Sequence, residues 1–259
     1  MHLADLEAVT LKGRHGLVTG YNAQAAVDSK EQVIVASEVA ASATDNDLLM
    51  TMLGTIEEMA GQLAEKTVLD AGYHSASNLD ASQEVETDLY LADPELRRQA
   101  APQQWAYHKD HFAYDEEQDV YTCPAGQTLR YEYTAGRKGD DTPSIRVYRC
   151  RDCADCSHKE DCTRDVNGRR IRIRAADQLL KQNRRKLLLE SSRDIMKRRA
   201  AIVEPVFAIL REHHGLRRFL RRGLKNVCAE WHLLCAAYNL KKIWRFLWGR
   251  EHVQAAGTT

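Results

Sequence analysis

The sequence predicts an α/β protein that carries a cysteine-rich insertion and ends in basic helices, and three observations predict it. Short runs of strand type alternate with helical runs over residues 20–92. Five of the seven cysteines fall between Trp105 and Ile173, and the cations are concentrated after Arg169. From Arg169 to Arg250 there are 22 Lys and Arg against 6 Asp and Glu, so the other 15 basic residues face 31 acidic ones and the net charge of zero conceals a division. A solvated helical face mixes both signs; a surplus with the acids nearly absent suits a phosphate-bearing partner.

Taken in order, the first twenty residues show no apolar period and read as a loop. Tyr21 to Val27 and Gln32 to Val39 are strand-like runs about the turn Asp28-Ser29-Lys30, which makes a hairpin. Ala43 to Gln62 has Leu48, Leu49, Met52, Leu53, Ile56 and Met59 in helical register, with Thr44 or Asp45 as its cap. Thr67 to Leu69 is a short strand of buried type. Asp70 stands at its carboxyl end, where open α/β sheets gather ligand and catalytic groups; a turn former or helix cap is the competing role for an aspartate there. Ser75 to Asn78 starts another helix, and Thr87 to Ala92 is a further strand. With 259 residues and 44% apolar content, the chain can bury one ordinary core and a second small module. Its longest apolar runs are too short to span a bilayer and its N-terminus lacks a signal pattern, so a cytoplasmic protein is expected.

The cysteines are Cys123, followed by proline, then Cys150, Cys153, Cys156 and Cys162. Short paired spacings in a cytosolic chain point to thiolate-bound zinc, which needs four ligands brought together by tight turns. Four of the five would serve, His158 is a weaker candidate, and disulfides or free thiols are the alternative. Beyond Ile173 three helices are expected, Asp177 to Ser191, Arg193 to His213 and Val227 to Trp248. In the second, Val203, Val206, Phe207 and Leu210 form a buried stripe with Glu204 at its edge, Pro205 beside it and Arg211 seven residues on. One carboxylate in a cationic segment suits a divalent metal held where a nucleic acid must approach, although many helical glutamates are simply solvated or ion-paired. In the last helix Val227, Trp231, Leu234, Tyr238 and Phe246 make the stripe, with Cys228 and Cys235 as small core residues.

Several stretches carry a resemblance together: GYNAQAAVD (20–28), VLDAGYHS (68–75), YTCP with YRCRDCADCSHKEDCT, and RRAAIVEPVFAILREHHGLRRFLRRG followed by AEWHLLCAAYNLKKI. With them the chain resembles the DDE transposases of bacterial insertion sequences, in the group with a cysteine-rich insertion. The resemblance implies a ribonuclease H-like fold, a mixed sheet flanked by helices, in which three acids bind two Mg²⁺ or Mn²⁺ ions. By position Asp70 matches the second acid and Glu204 the third. Arg199 and Arg211 match basic positions that engage DNA, and Arg217, Arg218, Arg221 and Arg222 extend that set. Ala208 and Arg211 stand where the family commonly has Gly and Lys. No residue matches the first acid, Asp5 and Asp28 included, so an N-terminally truncated core is expected.

The organisation implied is a first part of the core over residues 1–100, incomplete at its opening strand, and a cysteine-rich zinc-binding insertion over 101–175. A helical basic part with the catalytic glutamate over 176–250 and a tail over 251–259 complete it. The function implied is metal-dependent cleavage and strand transfer of double-stranded DNA, at insertion-sequence ends and target, by a possible homodimer, with reduced or no activity for this chain alone. The alternative is a non-catalytic, zinc-stabilised DNA-binding remnant or regulator of transposition.

Overall fold

The computed structural model describes residues 5–13, 16–96, 105–136, 144–153 and 155–256, with side chains to residue 248. The chain divides into two compact units, Met1–Ala92 with Leu189–Thr259, and Asp93–Leu188.

The first unit opens on an antiparallel ribbon, β1 (Val9–Gly13) and β2 (Gly16–Gly20), where the sequence reads as a loop. Val9 and Leu11 are half-buried and Thr10 and Lys12 exposed, an alternation too short to stand out. The expected hairpin is present as β3 (Asn22–Val27) and β4 (Ile34–Ala40). Its turn is held by the Asp28 carboxylate, which accepts from the backbone N–H of Lys30 at 3.0 Å and Glu31 at 2.6 Å. Helix α1 (Leu49–Ala60) starts later than expected, and neither Thr44 nor Asp45 caps it; Leu48 holds the cap position without a side-chain bond. Strand β5 (Lys66–Leu69) runs parallel to β6 (Asp88–Leu91). Between them lie a single 3-10 turn, Ala71–Tyr73, and α2 (Ala76–Ala81), whose cap Ser75 accepts from Asn78 N–H.

The mixed sheet implied by the resemblance is corrected in one respect. Among the described residues the strands of this unit pair two by two, β1 with β2, β3 with β4 and β5 with β6, rather than in one ladder. Side chains bridge where backbone bonds do not: the Tyr73 hydroxyl, just past β5, donates to Gln24 Oε1 on β3 at 2.5 Å.

The second unit is a five-stranded antiparallel sheet in the order β11-β10-β9-β8-β7. The strands are β7 (Ala113–Asp115), β8 (Val120–Thr122), β9 (Thr128–Ala135), β10 (Ile145–Arg149) and β11 (Arg170–Arg174). A short helix, α3 (Lys159–Cys162), precedes β11, and α4 (Asp177–Leu188) follows it. One sheet face buries Leu129, Tyr148, Cys150 and Ile171 with Phe112 and Cys153. Beside this core, Arg184 on α4 is 4% exposed. Its Nε donates to Asp93 at 2.7 Å and a terminal nitrogen donates to Asp110. Burial opposes ionisation of Asp110, but the His108 bond and the Arg184 charge outweigh it and hold the carboxyl at about 2.

The chain then re-enters the first unit through α5 (Glu190–Glu212), which continues through Pro205, and α6 (Leu224–Ala256). Val206 and Leu210 from α5 meet Val227, Trp231, Cys235 and Tyr238 from α6 over Tyr21, Ile34 and Val39 of the hairpin. Trp231 Nε1 donates to the Gln24 carbonyl at 3.0 Å, and the Asn239 side chain bonds both the N–H and the carbonyl of Ile34. Past that contact the strand gives no further cover, so Phe246, expected in the buried stripe, is 52% exposed. Cys235 is buried as expected, whereas Cys228 is only half-buried.

Candidate functional site

Asp70 follows β5 directly. Its carboxylate accepts from Gly72 N–H at 2.8 Å and caps the 3-10 turn, so it is a cap at the place where an α/β strand presents chemistry. Asp45, which the sequence offers only as a helix cap, stands beside it. A Cβ on Gly72 would lie 2.0 Å from Asp45 Oδ2 and 3.0 Å from Asp70 Oδ1, so both carboxylates crowd one point that only glycine leaves open. Asp45 Oδ1 accepts from the side-chain amides of Asn22 at 2.5 Å and Gln24 at 2.8 Å. Gln24 in turn accepts from Tyr73. Burial, then the charges of Asp45 and Asp70, push the Tyr73 phenol well above its ordinary value, which keeps it a donor. The GYNAQ and DAGY motifs therefore meet in one network. Asn22 and Gln24 share a strand face, and two amides side by side need an acceptor; that was the available signal for Asp45.

Glu204 is exposed on α5, and α5 packs against β5, the strand that ends at Asp70. Arg199 on the same helix is half-buried; Arg211 is exposed and its Nε donates to the Phe207 carbonyl at 3.3 Å. Arg217, Arg218, Arg221 and Arg222 are all exposed on the link between α5 and α6. That link is not loose. Glu230 accepts from the N–H groups of Leu220 at 2.9 Å and Arg221 at 3.0 Å, and Asp5 accepts from Gly223 N–H and from the Tyr21 hydroxyl. Asp5 is thus spent on holding the link, and the Tyr21 bond lowers its carboxyl.

In the second unit Cys123, Cys150, Cys153, Cys156, Cys162 and His158 line one pocket, and none of the cysteines is in a disulfide. Gln127 N–H donates to Cys123 Sγ at 3.3 Å. Cys150 is fully buried, and burial with a bond to Cys153 pushes its thiol up to about 12. Burial raises Cys162, with Cys123, Cys153 and Cys156 near enough to add to the effect. Among the described residues no three His, Cys, Asp or Glu side chains are gathered closely enough to hold a metal ion. The donor chemistry nonetheless fits: carboxylates for a hard divalent ion in the first unit, thiols for zinc in the second.

Among the described residues no helix is long and apolar enough to cross a membrane. No curated protein and no solved structure matches the chain. Residues 122–244 match the family model for the transposase DDE domain, a segment that holds all five clustered cysteines, Glu204 and the arginine link; Asp70 lies outside it. Over that segment the chain is similar to the transposase DDE domain.

Proposed function

We propose that this chain supplies two acids, Asp70 and Glu204, to a site for metal-dependent cleavage and strand transfer of double-stranded DNA at the ends of a bacterial insertion sequence and at its target. The observation that carries the reading is the family match across Glu204, on a helix packed against the strand that ends at Asp70. Asp70 and Glu204 would hold Mg²⁺ or Mn²⁺, which supplies an activated oxygen nucleophile and stabilises the leaving oxygen in an in-line displacement at phosphorus. The Gly72 N–H and the Asp45–Gln24–Tyr73 network fix the rotamer of the Asp70 loop. Arg199, Arg211, Arg217, Arg218, Arg221 and Arg222 hold the DNA backbone by charge-assisted bonds, bidentate where the guanidinium fork meets a phosphate. Zinc on four of the five clustered thiols would staple the second unit, whose small core benefits from a cross-link.

The resemblance brings three acids to such a site and matches two of them, Asp70 and Glu204, so these two alone are expected to support little cleavage. The test is nicking of supercoiled plasmid in 5–10 mM Mg²⁺ or Mn²⁺, an order-of-magnitude choice for weak carboxylate sites. No nicking by the chain alone agrees with the reading; robust Mg²⁺-dependent nicking abolished by Glu204→Ala overturns the two-acid account while keeping the site. The exposed arginine link also favours a second reading, a DNA-binding regulator that occupies element ends. Salt-dependent binding of duplex with no metal-dependent cleavage, even when a transposase that carries all three acids is added in trans, would select it.

A further inference from the structure

The sheet face opposite the Leu129–Tyr148–Ile171 core buries Val120 and Val147 but also carries arginines that the family resemblance does not place at DNA. Arg130 on β9, Arg149 on β10 and Arg170 on β11 stand directly opposite one another in register. Arg172 and Arg174 continue the same face along β11, because Ile171, 3% exposed, and Ile173 take the alternate positions on the core side. Like charges placed opposite each other across strands are destabilising, so such a row needs counter-charge. Two of the five have it within the unit: Arg149 pairs with Glu132 at 2.8 Å and Arg170 with Asp165 at 2.5 Å. Arg130, Arg172 and Arg174 are exposed, and no acidic side chain pairs with them among the described residues.

We propose that this sheet face is a second DNA-binding surface, in which Arg130, Arg172 and Arg174 contact the phosphates of duplex DNA independently of the arginine link. Arginines two apart on a strand repeat at roughly 7 Å, about the rise of two nucleotides along one DNA strand, so successive guanidinium groups meet alternate phosphates. A polyanion supplies the charge that the row lacks. The inference deepens the proposed function and rests on its DNA-binding part, but not on cleavage.

The test is binding of a fluorescent 30-base-pair duplex, about the length of two sheet-sized footprints, to the full chain over a salt series. Each phosphate contact contributes roughly 0.9 to the slope of log affinity against log salt, so Arg130→Gln/Arg172→Gln/Arg174→Gln should make that slope less negative by about 2 to 3. The corresponding triple Lys variant should keep it. The link variant Arg217→Gln/Arg218→Gln/Arg221→Gln/Arg222→Gln is the control. If the sheet variant keeps the wild-type slope while the link variant loses it, the sheet surface is overturned and the proposed function stands. If the wild type does not bind duplex at all, both fall.

Discussion

The two units solve opposite problems with polar groups. In the first, the carboxylates of Asp45 and Asp70 are left partly open to solvent and are positioned by amides, a phenol and one glycine, an arrangement that keeps negative charge available. In the second, Asp93 and Asp110 are sealed against Arg184, whose guanidinium lies 5.9 Å from the Trp105 ring, and the charge is consumed internally. The same residue types are therefore left open to solvent in one place and serve as a structural clamp in the other. What distinguishes them is whether a cation of the chain already occupies the carboxylates.

Breaking the clamp should have the largest effect. Arg184→Met takes the guanidinium away from the buried Asp93 and the half-buried Asp110, and should cost roughly 3–5 kcal/mol, read as an early unfolding step in urea. Arg184→Lys should recover only part of this, since one ammonium cannot match the fork that reaches both acids. Asp110 gives the next effect. Its carboxyl is depressed to about 2 in the folded unit, so the stability it contributes is present above its unfolded value near 4 and is lost as pH falls through about 2. The loss should be about 2 kcal/mol between pH 5 and pH 2, and Asp110→Asn should flatten that part of the pH profile. On the side of the first unit, Gly72→Ala should cost roughly 1–3 kcal/mol, because its Cβ would overlap Asp45 and push it off Asn22 and Gln24. Thermal melting of that variant measures the cost; an unchanged melting temperature would show that Asp45 is free to move aside.

The elements that could be read from the sequence are those with a sustained period or a strong punctuating residue. The β3–β4 hairpin follows from alternation about Asp28, and the buried faces of α5 and α6 follow from Val206, Leu210, Val227, Trp231 and Tyr238. Contacts between residues far apart in the sequence could not be read. Asp45 looks like a helix cap because capping is local, whereas its true partners lie 23 and 21 residues back. Arg184 sits in a basic run and looks solvated; only the fold brings Asp93 and Asp110 to it across 91 and 74 residues. Phe246 continues a helical stripe that the packing stops supporting near Asn239, since amphipathic period tells which face is apolar and not how far a partner extends along it. Asp70 and Glu204, by contrast, come from motif resemblance, and the fold adds that α5 and β5 pack together.

If Asp70 and Glu204 belong to one divalent-ion site, as proposed, each should contribute to its affinity. The direct measurement is Mn²⁺ binding to the full chain by electron paramagnetic resonance, compared with Asp70→Asn and Glu204→Gln, with circular dichroism to confirm that each variant is folded. Weak Mn²⁺ binding by the wild type should drop tenfold or more, about 1.4 kcal/mol, in each variant. Wild-type affinity in both folded variants would show that the two acids do not share a divalent-ion site.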